Sequence, residues 1–443
     1  MAKFLTSWVP QKLKNRLFKS FAGVMGLKIA ASGLGFILNI FLARFLGVAD
    51  FGVYTYALAW RDLLIIPALL GLDTLIVREV AVYRTKSAWG LLGGILRWSN
   101  FVVLGSSISI ALIAIAIVAN LNLEVQSQMF LPFCLAMSLL PTSALRNVRL
   151  AAMQGLKLVF MGLLPEMIFV PVLVMGISGA WYLLSDRHLT ASMVLGSRII
   201  ATLITLLIGI YLLQKNLPQE VKQAQREYDI KVWRSKLLPF MLLGGMYVIT
   251  SRSDTLMLGT IIGAEASGLY SPVIRGVQLL AFVLTAVNSV LSPNIAGLYA
   301  QNKKLEMQQV VTQSSRIMLL VSLPLAAFFI FGGHWYLSLF GAEFTQARSA
   351  LSILCLGQLF SIASGSVGVL LTMTGNEKFN LIASTLNVLS NIVLNWFWIP
   401  LWGLSGAAAA TAVSTVLVNI FKVISVRQQI GIDSTALGKF SSL

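Results

Sequence analysis

Long apolar stretches, separated by short polar breaks, run through this chain from end to end. A bilayer-crossing helix needs roughly 20 mostly apolar residues, and about twelve stretches meet that length. They are predicted near residues 21–43, 51–75, 95–119, 128–150, 158–184 and 189–213, then near 237–262, 269–298, 311–333, 347–373, 378–400 and 403–426. Between the two sets lies the longest polar segment, 214–236, whose mixed charges read as a cytoplasmic connector rather than a catalytic module. The expected fold is an all-α integral membrane protein of about twelve transmembrane helices. Its N-terminal six-helix lobe is expected at 1–213, the connector at 214–236 and the C-terminal six-helix lobe at 237–443.

Internal similarity supports that division. Gly47-Val48-Ala49-Asp50-Phe51-Gly52-Val53-Tyr54 follows the first span, and Gly263-Ala264-Glu265-Ala266-Ser267-Gly268-Leu269-Tyr270 follows the seventh. Met153-Gln154-Gly155 and Met373-Thr374-Gly375 match at the ends of the fourth and tenth spans, in nearly the same register, as do Cys134 and Cys355. Such agreement points to duplication of a six-span unit. Six is even, so both copies enter from the same side as parallel repeats, and a central cleft is expected between the lobes.

Composition agrees with the pattern: 57% of residues are hydrophobic and 11% charged, with a mean hydropathy of +0.83. The formal charge of +17 has a simple source in Lys and Arg kept on the cytoplasmic side, so no nucleic-acid partner is implied. Alternate loops carry the basic residues: Arg78, Arg84 and Lys86; Arg146, Arg149 and Lys157; Lys215 through Lys236; Lys303 and Lys304; Lys378. The intervening loops hold Asp50, Glu124, Asp186 with Arg187 and His188, Glu265, and His334 with Glu343 and Arg348. Both termini are therefore expected in the cytoplasm. The basic start (Lys3, Lys12, Lys14, Arg16, Lys19), with Trp8, Leu13, Leu17, Phe18 and Phe21, fits either an interfacial helix or a plain positive-inside anchor. It lacks a small-residue cleavage site, so the first span should be retained. Two cysteines in apolar runs supply neither a disulfide framework nor a metal cluster, and no cofactor is expected.

Charges inside spans are the informative residues, because each costs about 2.5 to 3.5 kcal/mol at the bilayer centre unless paired or hydrated. Lys28, Arg61, Asp62, Glu166, Arg198, Arg252, Asp254 and Arg275 fall in predicted spans, whereas Arg78, Arg97 and Arg149 lie near cytoplasmic ends where they can snorkel. Helical spacing adds polar stripes: Ser271, Arg275, Gln278, Thr285, Ser289 and Ser292 on span eight; Lys28, Ser32, Gly35 and Asn39 on span one; Gln358, Ser361, Gly365, Gly368 and Thr372 on span ten. Such faces either line an aqueous cleft or glue helices together, and on span eight the arginine favours the cleft. Arg61 and Asp62 point about 100° apart on a helix and Arg252 and Asp254 about 200°, so neither is expected to be a secure ion pair.

Leu42-Ala43-Arg44-Phe45-Leu46-Gly47 with Asp50-Phe51-Gly52-Val53-Tyr54, the Gln154-Gly155 and Thr374-Gly375-Asn376-Glu377-Lys378 turns, and Gly403-Leu404-Ser405-Gly406-Ala407-Ala408 carry a further likeness. In these residues, and along essentially its whole length, the chain resembles the oligosaccharide flippases of the multidrug/oligosaccharidyl-lipid/polysaccharide exporter superfamily. The resemblance implies a two-lobed transporter that flips polyprenyl-diphosphate-linked glycan from the cytoplasmic to the outer leaflet of a bacterial inner membrane, for surface polysaccharide such as O-antigen or exopolysaccharide. Its partners would be that lipid-linked oligosaccharide, membrane lipids and a polysaccharide polymerase.

A diphosphate leaving water needs compensating cations. Arg61, Arg252 and Arg275 lead, then Lys28, with Gln278 beside Arg275 on the same stripe; structural salt bridging is the alternative for the arginines. Glu166 beside Pro165, Asp62 and Asp254 are candidates for ion coupling, each with a structural role as its alternative. A multidrug exporter of the same superfamily would favour acidic and aromatic linings for cationic amphiphiles. A glycan polymerase, ligase or polyprenol-dependent glycosyltransferase would need catalytic carboxylates, metal ligands or a large outer loop, and no such constellation appears, so no enzyme is expected.

Overall fold

The computed structural model describes residues 11–120, 126–185 and 188–438, with side chains from Gly23 onward except 126–128 and Leu243. The N-terminal interfacial reading at Lys3, Trp8 and the side chains to Phe21 lies outside the described residues, as do Glu124, Asp186 and Arg187. No strand occurs among the described residues. The helices are α1 (Gln11–Leu69), α2 (Leu72–Thr85), α3 (Trp89–Asn120), α4 (Gln126–Gly155), α5 (Val159–Leu164), α6 (Val170–Leu184), α7 (Ala191–Asn216), α8 (Gln219–Gln223), α9 (Ile230–Ile261), α10 (Ala264–Ala300), α11 (Lys304–Phe331), α12 (Gly333–Ser338), α13 (Arg348–Ala363), α14 (Val367–Met373) and α15 (Glu377–Ile430). A π-helical turn, Pro165–Phe169, joins α5 to α6, so these two form one span. Pro165 has no N–H to give its own turn, which favours the wider winding there.

Eight helices are long and apolar enough to cross a membrane by themselves, and the bent pair Ala342–Ala363 and Val367–Met373 makes a ninth crossing. Two of the eight are double. Gly47 breaks α1 at φ 69° and Gly403 breaks α15 at φ 57°, backbone values that residues with a Cβ rarely adopt. With both divided, eleven crossings are described; α9, 32 residues long but less apolar than these helices, is the position at which the sequence places the remaining one of about twelve. The chain is an all-α, multi-pass membrane protein.

Close packing groups the chain into two units: residues to Phe45 with Arg61–Gly245, and Leu46–Trp60 with Met246–Leu443. The first unit is built on a core of Leu69, Leu72, Leu75, Ile76, Leu92 and Ile95, with Trp233 fully buried among them. Trp233 donates from Nε1 to the Tyr83 hydroxyl at 2.9 Å, and Lys236 pairs with Glu79 at 2.8 Å. The first turns of α9 are thus clamped to α2, and just before them the Glu227 N–H donates to the Gly90 carbonyl of α3 at 3.1 Å, so the polar segment is not a free tether. Burial pushes the Tyr83 phenol above its ordinary value, partly opposed by that Trp233 bond.

In the second unit the two similar octapeptides pack on each other. A Cβ at Gly268 would strike the Gly52 backbone and the Val48 carbonyl, and one at Gly52 would strike Ala264 and Glu265. The repeated glycine is therefore a contact requirement, which explains why both copies keep it. Gly268→Leu should destabilise by about 3 kcal/mol or more through overpacking against backbone that cannot rotate away. Its thermal midpoint in detergent, against that of the open-space control Gly297→Leu, measures this.

After α15 the chain turns at Gly431 and lies as a strap, 431–438, along α11. Gln308 clasps the Asp433 backbone from both sides, accepting from its N–H at 2.8 Å and donating to its carbonyl at 2.7 Å. Arg316 donates to the carbonyls of Ala436 and Gly438, both at 3.0 Å, and Ala436 donates to Ala363 at the end of α13 at 2.9 Å. Partial burial works to raise the Asp433 carboxyl, but hydrogen bonds from Thr435 and Arg427 outweigh it and hold the group below its usual value.

Candidate functional site

Asp254 sits inside the second unit, on α9, and only 7% of it is exposed. Four neutral donors converge on its carboxylate: the Tyr270 hydroxyl at 2.9 Å, Asn391 Nδ2 at 3.2 Å, Asn395 Nδ2 at 2.8 Å and the Thr411 hydroxyl at 2.6 Å. Ser253 and Asn395 both donate to the side-chain oxygen Oδ1 of Asn391, at 2.5 and 3.1 Å. Asn391 and Asn395 are one turn apart on the first limb of α15, and Thr411 lies on the second limb beyond Gly403. Thus α9, α10 and both limbs of α15 meet at one carboxylate. No ion pair to a cationic side chain is described for it, so its hydrogen bonds are satisfied while its charge is met by dipoles alone. A site of this kind suits a proton or a small cation far better than an organic anion. Sequence reading singled out Asp254 but missed its four partners; the signal was Asn387, Asn391 and Asn395, three amides at four-residue spacing on an otherwise apolar helix.

The cationic candidates fall in different settings. Arg61 is 6% exposed in the first unit, donating to the Ser143 hydroxyl at 3.0 Å and pairing with Asp62 at 2.6 Å. The expectation that Arg61 and Asp62 would not pair is therefore corrected: the arginine side chain is long enough to turn back across the angle between neighbours. In the second unit Arg275 is half-buried on α10 and donates to Gln278 Oε1 at 3.2 Å, with Gln278 exposed. Arg252, on α9, is half-buried, and Lys28, on α1, is exposed. Thr285, Ser289 and Ser292, lower on the α10 stripe, return their hydroxyls to their own helix at Ala281, Ala286 and Asn288.

A second correction concerns Arg149. It does not snorkel: it is 4% exposed, fitted against Gly209 of α7 where a Cβ would overlap its guanidinium. Its Nη2 approaches the Gly162 carbonyl at 3.4 Å, while Nε and Nη1 are buried without partners. Beside it Glu166, in the π-helical turn, pairs through Oε1 with Arg146 at 3.0 Å. Glu166 is thus tied into a basic cluster at a widened turn of its span, a setting for either of the roles weighed from the sequence.

The second unit also holds a cavity of about 190 Å³ between α10, the break separating α13 from α14, and both limbs of α15. Ser361, Gly365 and Gly368, three members of the stripe read on span ten, line it together with Asn288, Ser366, Asn387, Thr415, Asn419 and Lys422. Among the described residues no group of three or more His, Cys, Asp or Glu side chains is placed to hold a metal ion.

Comparison with known proteins gives the same picture from outside. The sequence model of the polysaccharide biosynthesis protein family matches residues 17–299, and that of the MatE family matches 239–397. The probable low-salt glycan biosynthesis flippase Agl15 of Haloferax volcanii is 24% identical over 394 residues, covering 87% of this chain and 78% of that protein. The capsular polysaccharide biosynthesis protein CapF of Staphylococcus aureus is 24% identical over 178 residues, 40% of this chain and 45% of that one. Among solved structures, an inward-facing multidrug resistance transporter of the MATE family superposes with a TM-score of 0.75 at 13% identity, covering 90% of this chain and 94% of that one. The lipid II flippase MurJ in an inward closed conformation gives 0.68 at 14% identity, covering 90% and 86%.

Proposed function

Because the chain belongs to the polysaccharide biosynthesis protein family, within the multidrug/oligosaccharidyl-lipid/polysaccharide exporter superfamily, we propose that it is a flippase for polyprenyl-diphosphate-linked oligosaccharide. It carries this lipid from the cytoplasmic to the outer leaflet of a bacterial inner membrane by alternating access between two six-helix lobes, with both termini in the cytoplasm. Two relatives with glycan-assembly names support the substrate class. The observation that carries it is the placement of three arginines within long apolar helices, Arg61 on α1, Arg252 on α9 and Arg275 on α10, cations of the sign that an anionic diphosphate requires.

In this reading Arg252 and Arg275, with Gln278 and Lys28, meet the diphosphate, and Arg61 contributes a charge partly offset by Asp62. Asp254 is the coupling carboxylate: loading it with a proton or small cation neutralises a buried charge that its four neutral partners leave uncompensated, and so shifts the balance between conformations. Asp62 and Glu166, each already paired with an arginine, are weaker coupling candidates. A polysaccharide polymerase working on the delivered product completes the proposed partners.

The rival reading, a cation-coupled multidrug exporter, draws on the MatE match over 239–397. Depleting the protein in its own cell separates the two. The flippase reading expects lipid-linked oligosaccharide to accumulate on the cytoplasmic leaflet with unchanged sensitivity to cationic dyes. Increased dye sensitivity without that accumulation would favour the exporter.

A further inference from the structure

Two asparagines in the cavity beside the broken span ten carry side-chain oxygens that are buried and make no hydrogen bond: Asn288 Oδ1 on α10 and Asn387 Oδ1 on α15. The Ser366 hydroxyl, in the break between α13 and α14, is likewise buried and without a partner. Turning either amide over would only exchange an orphaned acceptor for an orphaned donor. Buried polar groups are normally satisfied, and groups left open in a cavity mark where a ligand supplies the missing bonds. Lys422 adds an ammonium from the second limb of α15, half-buried and in no described ion pair.

That inventory selects the ligand. A phosphate offers acceptors only and would leave the amide oxygens unmatched, whereas each sugar hydroxyl both donates and accepts. Drug-sized ligands occupy pockets from about 300 Å³ upward. This cavity, at about 190 Å³, is on the scale of one ring. The floor is also fixed from behind. Gly365, at φ 79°, packs against the Ser434 carbonyl and the Ser315 hydroxyl, and that hydroxyl donates to the same carbonyl at 2.9 Å. The terminal strap therefore holds the break in one position, the preorganisation that a weakly bound polar ring needs.

We propose that this cavity is a sugar-binding subsite, taking one ring of the transported glycan through Asn288, Asn387, Ser366 and Lys422. The assignment rests on the flippase reading for its biological meaning but is separable from it. Asn387 and Asn391 are one turn apart on one limb of α15, and Thr415 and Thr411 are one turn apart on the other. The subsite and the Asp254 cluster are therefore about 6 Å apart along two shared helices. A sugar held here reports directly to the coupling carboxylate.

The test is saturation-transfer NMR on the full-length protein in nanodiscs, with methyl glycosides of glucose, galactose, mannose, N-acetylglucosamine and glucuronic acid as probes. At least one should bind. Its signal should fall at least fivefold in Asn288→Leu/Asn387→Leu, and in the milder Ser366→Ala and Lys422→Met should the double variant misfold. Pyrophosphate should not displace it. No binding by any probe, displacement by pyrophosphate, or binding unchanged in well-folded variants overturns the subsite. Sugar binding that disappears in the variants while the wild type flips no lipid-linked oligosaccharide keeps the subsite and removes the flippase reading; the converse removes the subsite alone.

Discussion

Replacing Arg275 or Arg252 with alanine is expected to lower flipping of a polyprenyl-diphosphate oligosaccharide by about tenfold or more, with normal insertion into the membrane. Tenfold corresponds to about 1.4 kcal/mol, well within what one cation contributes against a phosphate oxygen in a partly screened site. Both side chains are half-buried, so solvent screens part of the full Coulomb energy, and tenfold is the conservative figure. Lysine should rescue in part, since it keeps the charge but lacks the planar fork that grips two oxygens. Glutamate should be worse than alanine. A purely structural role predicts something else: alanine would lower abundance, and a charge swap with the true partner would restore it. Arg61 is the internal contrast, because its alanine variant would leave Asp62 and Ser143 without their guanidinium. Its first effect should be on abundance.

Asp254→Asn should have the second large effect. Asparagine keeps the shape: its single oxygen can still accept from Asn391 and Asn395, and its amide nitrogen can donate to the Tyr270 and Thr411 hydroxyls, which accept as well as donate, so the second unit should assemble. It can take up neither a proton nor a cation charge. Flipping in proteoliposomes should fall on the order of tenfold, and what remains should no longer respond to an imposed proton or sodium gradient. Retained gradient dependence in Asp254→Asn would remove this residue from the coupling role. Asp254→Leu is harsher: it strands two amides and two hydroxyls in a dry interior, so reduced abundance is expected from it whatever the mechanism.

Much of this architecture was legible in the sequence because a bilayer enforces it. Apolar runs of span length can be read without tertiary information, and they were enough to identify an all-α, multi-pass membrane protein. The break at Gly47 lies close to the charged Asp50, whereas the one at Gly403 lies in the apolar run Leu401-Trp402-Gly403-Leu404 and is marked only by Pro400 and the glycine itself. What could not be read was side-chain reach. Arg61 closes on Asp62 against the helical angle, and Arg149 is buried because Gly209, sixty residues away, leaves room for it. The partners of Asp254 were out of reach for the same reason: three of the four, Asn391, Asn395 and Thr411, lie more than a hundred residues on, and only assembly shows that the amide stripe faces this carboxylate. Lys422 looks like an isolated polar residue until the broken span ten brings it to one cavity with Asn387.

The central claim is tested most directly by reconstituting the purified wild-type protein in liposomes containing a fluorescent polyprenyl-diphosphate oligosaccharide and following its exposure to a membrane-impermeant quencher. The account predicts that quenching rises from the outer-leaflet fraction towards completion in protein-containing vesicles, that protein-free vesicles stay at the outer-leaflet fraction, and that Arg275→Ala slows the rise. Equal quenching with and without correctly inserted protein, under proton and sodium gradients of either direction, would contradict it.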